Sequence, residues 1–539
     1  MAHRQSNTKN NRRKKAIDKI VIDSCDRPYQ DWFPNARSHK RSFVLHVGPT
    51  NSGKTHDALE ALKTSGSGCY LAPLRLLALE IGEELRDADV KCDILTGEDQ
   101  DYQHDATHSS STIELMDASR HYDVAVIDEA QLIADRNRGG AWLTAIMGVD
   151  ADVIHVCMAP EAQSIVERLI ELCGDDRTVV NHERKTPLIV DNGFVNIHDE
   201  DYKPMKGDAI IAFSRRKVLE IVAMLEMNGT RTSVVYGALP WRVRKEEARR
   251  FREGETDIVV STDAIGMGLN LPIRRIIFSE SRKFNGTDVV PLRSSEVKQI
   301  AGRAGRYGIY DEGHVVGTDY GSTRFIRNNI KASFHVIGKA MVDIPRELME
   351  NEKYDLSEII HGWKRTGISS LFPGSDGMFA KADSSLLMLA TDKLEQMESV
   401  WNIAFTRDEM IRLISVQFDI GKDEQEYEWR RLCEDYAHHH ERMTAWKPTA
   451  PTGSQSLSEL EKLSRTNGIR FSFMRCLGLM SGTMNHEFME VRGEIDKLMI
   501  RKLLDKNMGD FISTRYYRND YYDDCYDGFG YVGRDGYRG

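Results

Sequence analysis

The chain has 539 residues, 40% of them apolar, enough for roughly three or four domains. No apolar run approaches the ~18 residues of a membrane span. The eight cysteines, scattered from Cys25 to Cys525 without a C-x-x-C pair, argue against a disulfide scaffold or a zinc ribbon. A formal net charge of −10 argues against a mere nucleic-acid coat and confines any phosphate binding to a local basic groove, so the sum reads as a soluble intracellular protein.

Residues 1–42 form a basic arm and a lead-in. "RQSNTKNNRRKK" has no apolar period, so residues 1–20 are expected to be a disordered, solvated arm. An RNA-contacting arm and part of a mitochondrial presequence are the alternatives; the presequence would need an amphipathic period that the string lacks. From Phe43 short apolar runs alternate with helical patterns. Phe43–Val47 is a strand, the Gly-rich loop follows, and then comes a helix with Ala58, Leu59 and Leu62 on one face. Tyr70-Leu71, Val124–Ile127 and Val153–Val156 are further strands. Such alternation over 43–187 implies a parallel sheet with helices on both faces.

The loop "GPTNSGKT" fits G-x-x-x-x-G-K-[ST]. Gly48 and Gly53 let backbone amides close around phosphate. With Pro49, Thr50, Asn51 and Ser52 they form a cradle at a helix N-terminus, which favours an anion. Lys54 reaches the β- and γ-phosphates of a nucleotide, and Thr55 places its hydroxyl on Mg²⁺. The bland alternative is a chance match in a turn, against which the flanking strand and helix argue. In "VAVIDEAQ" an apolar strand delivers Asp128 and Glu129 to its C-terminal end, where open α/β sheets place their ligands. Asp128 would hold Mg²⁺, and Glu129 would orient and deprotonate an attacking water. The second carboxylate points to a hydrolase.

"ERKTPLIVDNG" is the join to a second α/β lobe over 188–340. Ile210–Phe213 is a strand, Ser214 caps a helix bearing Val218, Leu219, Val222 and Leu225, and Gly229 ends it. Val234–Tyr236, Ile258–Val260 and Ile276–Phe278 follow as strands. "STDAIGMGLNLP" carries Gly266 and Gly268, and "QIAGRAGR" places Gln299, Arg303 and Arg306 at helical spacing. That spacing sets two guanidiniums on one face. Arginines delivered from a second lobe onto a γ-phosphate act as an arginine finger in cis. A solvated basic helix end is the alternative, although Gly302 and Gly305 weaken a helix. Hydrolysis would then depend on lobe closure, as in motors.

Beyond residue 340 the pattern becomes helical to about 510, in segments such as "SSLLMLATDKLEQMESVWNIAF" and "SELEKLSRTNGIRFSFMRCLGLM", with "KPTAPTGSQS" as a loop between them. Residues 511–539 are rich in Tyr, Gly and Arg and read as a disordered tail, able to stack on unpaired bases or merely to solubilise. His438, His439 and His440 point to different sides of a helix, so a shared metal is not expected. "WRVRKEEARRFREG" is a solvated helix face or a phosphate-contact patch.

At this point the chain resembles the superfamily 2 helicases of the DExH type, and more narrowly the mitochondrial degradosome RNA helicase family and its bacterial relatives. The strings that carry the resemblance run in order over about residues 30–310: "WFPNARSHKRSFVLHVGPTNSGKT", "LAPLRLLALEI", "LTGED", "STIEL", "YDVAVIDEAQLIADRNRGGAW", "AFSRRKV", "VVYGALP", "VVSTDAIGMGLNLPIRRIIF" and "QIAGRAGR". The resemblance implies two tandem RecA-like parallel-sheet lobes, a helical C-terminal region, and use of ATP and Mg²⁺. It puts Lys54, Thr55, Asp128, Glu129, Gln131, Gln299, Arg303 and Arg306 in the ATP site. It lines a strand channel with Pro73, Arg75, Thr96, Gly97, Glu98, Thr112, Ser214 and Thr262, mostly against the nucleic-acid backbone. It further implies 3′ to 5′ unwinding of RNA duplexes, with hybrids or DNA as further substrates and an exoribonuclease as partner. One departure stands out: where the family reads Cys-Gly-Glu-Pro, this chain has Cys157-Met158-Ala159-Pro160, a motif that couples hydrolysis to unwinding. The alternatives are a DNA helicase or translocase, and an ATP-gated RNA clamp that does not displace strands. The expected compartment is a bacterial or phage cytoplasm, with the mitochondrial matrix as alternative.

Overall fold

The computed structural model describes residues 2–97, 100–199, 202–266, 270–285, 288–372, 377–439 and 446–505, with side chains from 11 to 504. Glu98, Gly268, His440 and the expected tail at 511–539 lie outside those residues. Among the described residues no helix is long and apolar enough to cross a membrane.

The first lobe is an eight-stranded sheet. Its strands are β1 (Ser42–Val47), β2 (Gly68–Ala72), β3 (Cys92–Leu95), β4 (Gln100–Asp101), β5 (His108–Thr112), β6 (Tyr122–Ile127), β7 (Ala151–Met158) and β8 (Asp176–Asn181). They lie in the order β4-β3-β5-β2-β6-β7-β1-β8. Every neighbouring pair is parallel except β3 and β4. The second lobe uses β9 (Leu188–Val190), β10 (Asp208–Ile211), β11 (Thr232–Val235), β12 (Ile258–Ser261), β13 (Arg275–Phe278) and, after the hairpin β14 (Arg282–Phe284) and β15 (Val289–Pro291), β16 (Gly313–Gly317). Its order is β11-β12-β10-β13-β16-β9, parallel throughout. Helices cover both faces of such sheets, so the central strands are apolar on both sides, as β10 and β12 are.

β5 is the exception. It reads His-Ser-Ser-Ser-Thr, has no aliphatic residue, and is buried from end to end between β3 and β2. Its polar groups are satisfied inside. Ser110 Oγ donates to the Ala78 carbonyl at 2.6 Å, and the His108 ring meets the Leu62 carbonyl at 3.1 Å. Small side chains also admit the helix Arg75–Asp87 closely: a Cβ on Gly82 would stand 3.3 Å from Ser110 Cβ.

The amino-terminal expectation is corrected. Ala2–Asp23 is a helix and not a disordered arm. Its apolar stripe, Ile17 and Val21, begins just past the basic string and runs on to Cys25. These side chains pack on the helix Leu356–Arg365, where Gly362 leaves room: a Cβ there would meet Ile17 Cγ2 at 2.7 Å. Arg13 adds a two-pronged ion pair with Glu358, at 2.6 and 2.7 Å.

The helical C-terminal region is divided among three cores. β17 (Ala340–Val342), β18 (Phe379–Lys381) and Trp363 join the core of the first lobe. Leu457, Leu460, Ile495 and Met499 join the second lobe. Between them the helices Ser385–Trp401, Arg407–Ile414 and Asp423–His439 build a core around Trp429 and Phe473.

Candidate active site and strand channel

In both lobes the named residues collect at the carboxyl edge of the parallel sheet. β1 runs into the phosphate loop, whose last glycine, Gly53, takes φ +91° and opens the helix Lys54–Lys63. Lys54 Nζ donates to the carbonyls of Gly48 and Pro49, at 2.8 and 2.6 Å. Thr55 Oγ1 lies 3.4 Å from each carboxylate oxygen of Asp128. Two hard oxygen donors at that separation suit a small divalent cation.

Asp128, at the end of β6, is buried. It accepts from Tyr70 Oη at 2.8 Å and from the Glu129 amide at 2.8 Å. Burial first, and then the Glu129 charge, push its carboxyl up to about 6. Glu129 itself takes φ +52°, a left-handed conformation that costs a non-glycine residue roughly 1–3 kcal/mol and tends to persist where function needs it. Gln131 Nε2 donates to Glu129, while Gln131 Oε1 accepts from the Ala159 amide at 3.1 Å. Gln131 therefore ties Glu129 to the altered Cys157–Pro160 segment through a backbone amide, a link that the side chains of that segment do not determine. The next residue, Glu161, was not anticipated. Burial raises its pKa, and Lys298 of the second lobe is the foremost charge acting on it.

The arginines need a correction. The helix Ser294–Ala301 stops at Gly302, and Gly305 has φ +70°, so Arg303 and Arg306 do not share a helical face. Both glycines mark close approaches. A Cβ on Gly302 would stand 2.7 Å from Thr50 Cβ, and one on Gly305 would stand 2.6 Å from the Gly313 backbone. Arg303 donates to the Gly266 carbonyl through Nε (3.0 Å) and Nη2 (2.5 Å). Burial lowers its pKa, while Glu129 and Asp128 of the first lobe act to raise it. Arg306 Nη1 donates to the Asn270 carbonyl at 3.2 Å, so both arginines bond carbonyls of their own lobe. Gln299 packs alongside Gly266. The two arginines are thus set apart: Arg303 is held on Gly266, between residues bonded to Arg184, and Arg306 is held on Asn270.

Arg184, in the join between the lobes, was missed. Its guanidinium donates to the carbonyls of Thr50 (3.2 Å) in the phosphate loop, Gly302 (2.6 Å) and Ala304 in the second lobe, and Thr186 (2.6 Å). Burial lowers it to about 10. Asn51 Nδ2 adds a bond to the Gly305 carbonyl at 3.0 Å. Because every acceptor is a backbone carbonyl, no motif announces this seam.

The expected channel residues also lie along the carboxyl edge. Pro73 follows β2, Thr96 and Gly97 follow β3, and Thr112 ends β5. Arg75 opens the helix after β2. In the second lobe Ser214 caps its helix by accepting from the Lys217 amide at 3.2 Å, as expected, and Thr262 follows β12. The helix Leu457–Cys476 spans both sets. Arg475 Nη1 donates to the carbonyls of Thr96 and Gly97, at 2.7 and 2.8 Å. Glu461 accepts from Arg215 Nε (3.0 Å) and from Tyr236 Oη (2.6 Å). The basic helix Trp241–Arg252 is largely paired: Arg249 meets Glu246, Glu253 and Glu255, Arg250 meets Glu247, and Lys245 meets Glu83 of the first lobe. Most of its charge is therefore paired, while Arg242 and Arg252 remain exposed.

Residues 28–182 match the family model for the DEXQ-box helicase domain of Suv3, and residues 195–308 match the helicase conserved C-terminal domain. The mitochondrial DExH-box ATP-dependent RNA helicase DExH18 of Arabidopsis thaliana is 42% identical over 295 residues, which is 54% of this chain and 38% of that protein. The mitochondrial ATP-dependent RNA helicase SUV3 of Candida albicans is 39% identical over 340 residues, 61% of this chain and 47% of that protein. Its Saccharomyces cerevisiae namesake is 33% identical over 386 residues, 69% of this chain and 52% of that protein. The chain thus spans about half the length of the curated relatives it matches.

Proposed function

The chain carries a Suv3-type helicase core of superfamily 2, and from that premise we propose that it is an ATP-driven RNA helicase. One observation carries the reading: Arg184 bonds the Thr50 carbonyl of the phosphate loop together with the Gly302 and Ala304 carbonyls that flank Arg303, so the seam sets Arg303 of the second lobe beside the phosphate loop of the first. Thr55 and Asp128 would hold the Mg²⁺ that neutralises the triphosphate. Lys54 exchanges the Gly48 and Pro49 carbonyls for phosphate oxygens. Glu129, fixed by Gln131, accepts the proton of the attacking water at its carboxylate. Arg303 supplies positive charge as the γ-phosphoryl leaves.

The strand lies across Pro73, Thr96, Thr112, Ser214 and Thr262, under the helix Leu457–Cys476. RNA is the strand we assign, tracked 3′ to 5′, with an exoribonuclease as the partner the reading implies. The relatives' names point to mitochondria for the compartment and give the bacterial or phage cytoplasm no support.

The test is steady-state ATP hydrolysis with no polymer, with single-stranded RNA and with single-stranded DNA, beside strand displacement on a 3′-tailed RNA duplex. RNA should stimulate hydrolysis, and Glu129→Gln should lower the stimulated rate by about 10²-fold or more. Equal stimulation by DNA would move the assignment to a DNA translocase. RNA-stimulated hydrolysis without displacement would leave an ATP-gated clamp.

A further inference from the structure

We propose a structural transition-metal site at the amino edge of the first sheet, the pole opposite the phosphate loop, formed by His39, His121 and Asp150. His39 lies in the lead-in before β1, His121 immediately precedes β6, and Asp150 immediately precedes β7. Because β6, β7 and β1 are consecutive neighbours in a parallel sheet, their starting ends meet at one place. One donor atom from each residue falls within 4.8 Å of the others. His121 Nδ1 lies 2.8 Å from Asp150 Oδ1, and His39 Nε2 lies 3.7 Å from the same oxygen. Tetrahedral ligands about 2.0–2.2 Å from a zinc ion stand roughly 3.3 Å apart, so small side-chain rotations close the set around one ion.

A second observation points to a ligand. His39 Nε2 is buried and has no hydrogen-bond partner. An orphaned buried nitrogen is costly and calls for an ion or a water. Its other ring nitrogen, Nδ1, already has Ser38 Oγ at 3.3 Å, which orients the ring with Nε2 toward the cluster. His121 Nε2, the nitrogen not used for the metal, has Asp152 Oδ1 at 3.7 Å. An outer hydrogen-bond partner such as Ser38 fixes the orientation of a metal-bound histidine, and the Asp152 carboxylate, though beyond hydrogen-bond distance, favours a positive charge beside His121.

The charges agree. Arg37 and Arg41, the guanidiniums of the same lead-in, both pair with Asp175. Among the described residues, Asp150 and Asp152 pair only with the two histidines. Two imidazoles with a carboxylate select a divalent transition ion, Zn²⁺ being the common case, over Mg²⁺ or Ca²⁺. The site staples the lead-in to the sheet and takes no part in hydrolysis.

The experiment uses full-length protein stripped with a chelator, freed of it, and held in excess Mg²⁺ to occupy the nucleotide side. Titrating Zn²⁺ by calorimetry should show one tight site per chain and raise the melting temperature by several degrees. His39→Gln and His121→Gln should each lose that site and the thermal shift while keeping their ATP hydrolysis. X-ray absorption at the zinc edge, which needs no variant to fold, should show nitrogen and oxygen ligands alone. The absence of a tight site, its survival in both variants, or sulfur among the ligands would overturn the proposal.

Discussion

The first sheet has two halves that share one edge. Its β1, β6 and β7 side presents Lys54, Thr55, Asp128 and Glu129, charged or reactive groups on an apolar frame. Its β2, β5 and β3 side presents Pro73, Thr112, Thr96 and Gly97, mostly backbone and hydroxyl, and relies on Arg475 from another region to hold its loop. Phosphoryl transfer needs particular side chains at particular atoms, whereas tracking a sugar-phosphate backbone needs a shape and a set of modest polar contacts. Substitutions on the nucleotide half should therefore change rates steeply, and those on the strand half should change coupling to RNA.

The largest effect expected is at Arg303. Arg303→Ala should lower RNA-stimulated turnover about 10³-fold or more, within the range that an arginine finger contributes. Arg306→Ala should cost less than about tenfold by the same scale, because its guanidinium is turned to Asn270. Single-turnover hydrolysis at saturating ATP measures both. Equal losses would mean that the lobes rearrange on binding nucleotide and bring Arg306 round.

Arg184 comes next. Arg184→Ala strips four backbone carbonyls of their donor, at about 1.5–3 kcal/mol for a charged hydrogen bond, and frees the phosphate loop from the second lobe. The expected outcome is a fall of roughly 10²-fold in kcat/KM for ATP. Arg184→Lys should restore only part, since an ammonium cannot reproduce the guanidinium fork. A variant with unchanged ATP kinetics would show that the seam is packing alone.

These two arginines also mark what was legible in the sequence. Arg303 stood in a string with a recognisable spacing, yet its geometry was misread: Gly302 ends the helix against Thr50, a contact between lobes that no local pattern encodes. Arg184 acts on carbonyls, so its partners leave no side-chain signature. The strands β1, β6, β7, β10 and β12 were readable because apolar runs between helices mean buried parallel strands. β5 was not, since a buried Ser-Ser-Ser violates that rule and is rescued by hydrogen bonds to Ala78 and Tyr122. The amino-terminal helix was missed for a related reason: its apolar stripe starts at Ile17, and its partner helix lies more than three hundred residues away.

On the strand half, Arg475→Ala should leave hydrolysis without polymer unchanged and weaken the apparent affinity for RNA by about tenfold, the scale of one charge-assisted contact. The readout is the RNA concentration giving half-maximal rate, which should rise while the maximal rate changes little. A loss in hydrolysis without polymer would place Arg475 in the nucleotide half's machinery and erase the division between the two halves of the sheet.

The smallest effect sits beneath the phosphate loop. His46, on β1, shares one ring nitrogen with His182 (3.0 Å) and the other with His155 (2.9 Å). Burial, followed by the neighbouring histidines, pushes His46 down to about 4. A histidine depressed on folding stabilises the protein above its unfolded pKa and loses that contribution as pH falls toward the folded value. With an unfolded value near 6.5, His46 should remove about 0.7 kcal/mol between pH 7 and pH 6, and more on further acidification toward 4. In thermal melts at the two pH values, His46→Gln should lose about 2 °C less than wild type over that step. His155 and His182 are depressed in the same direction by burial, so the variant should retain a slope rather than become flat. Parallel slopes would mean that the three rings take up a proton jointly in the folded state, and that the polar insertion under the nucleotide half is not the acid-sensitive point of the first sheet.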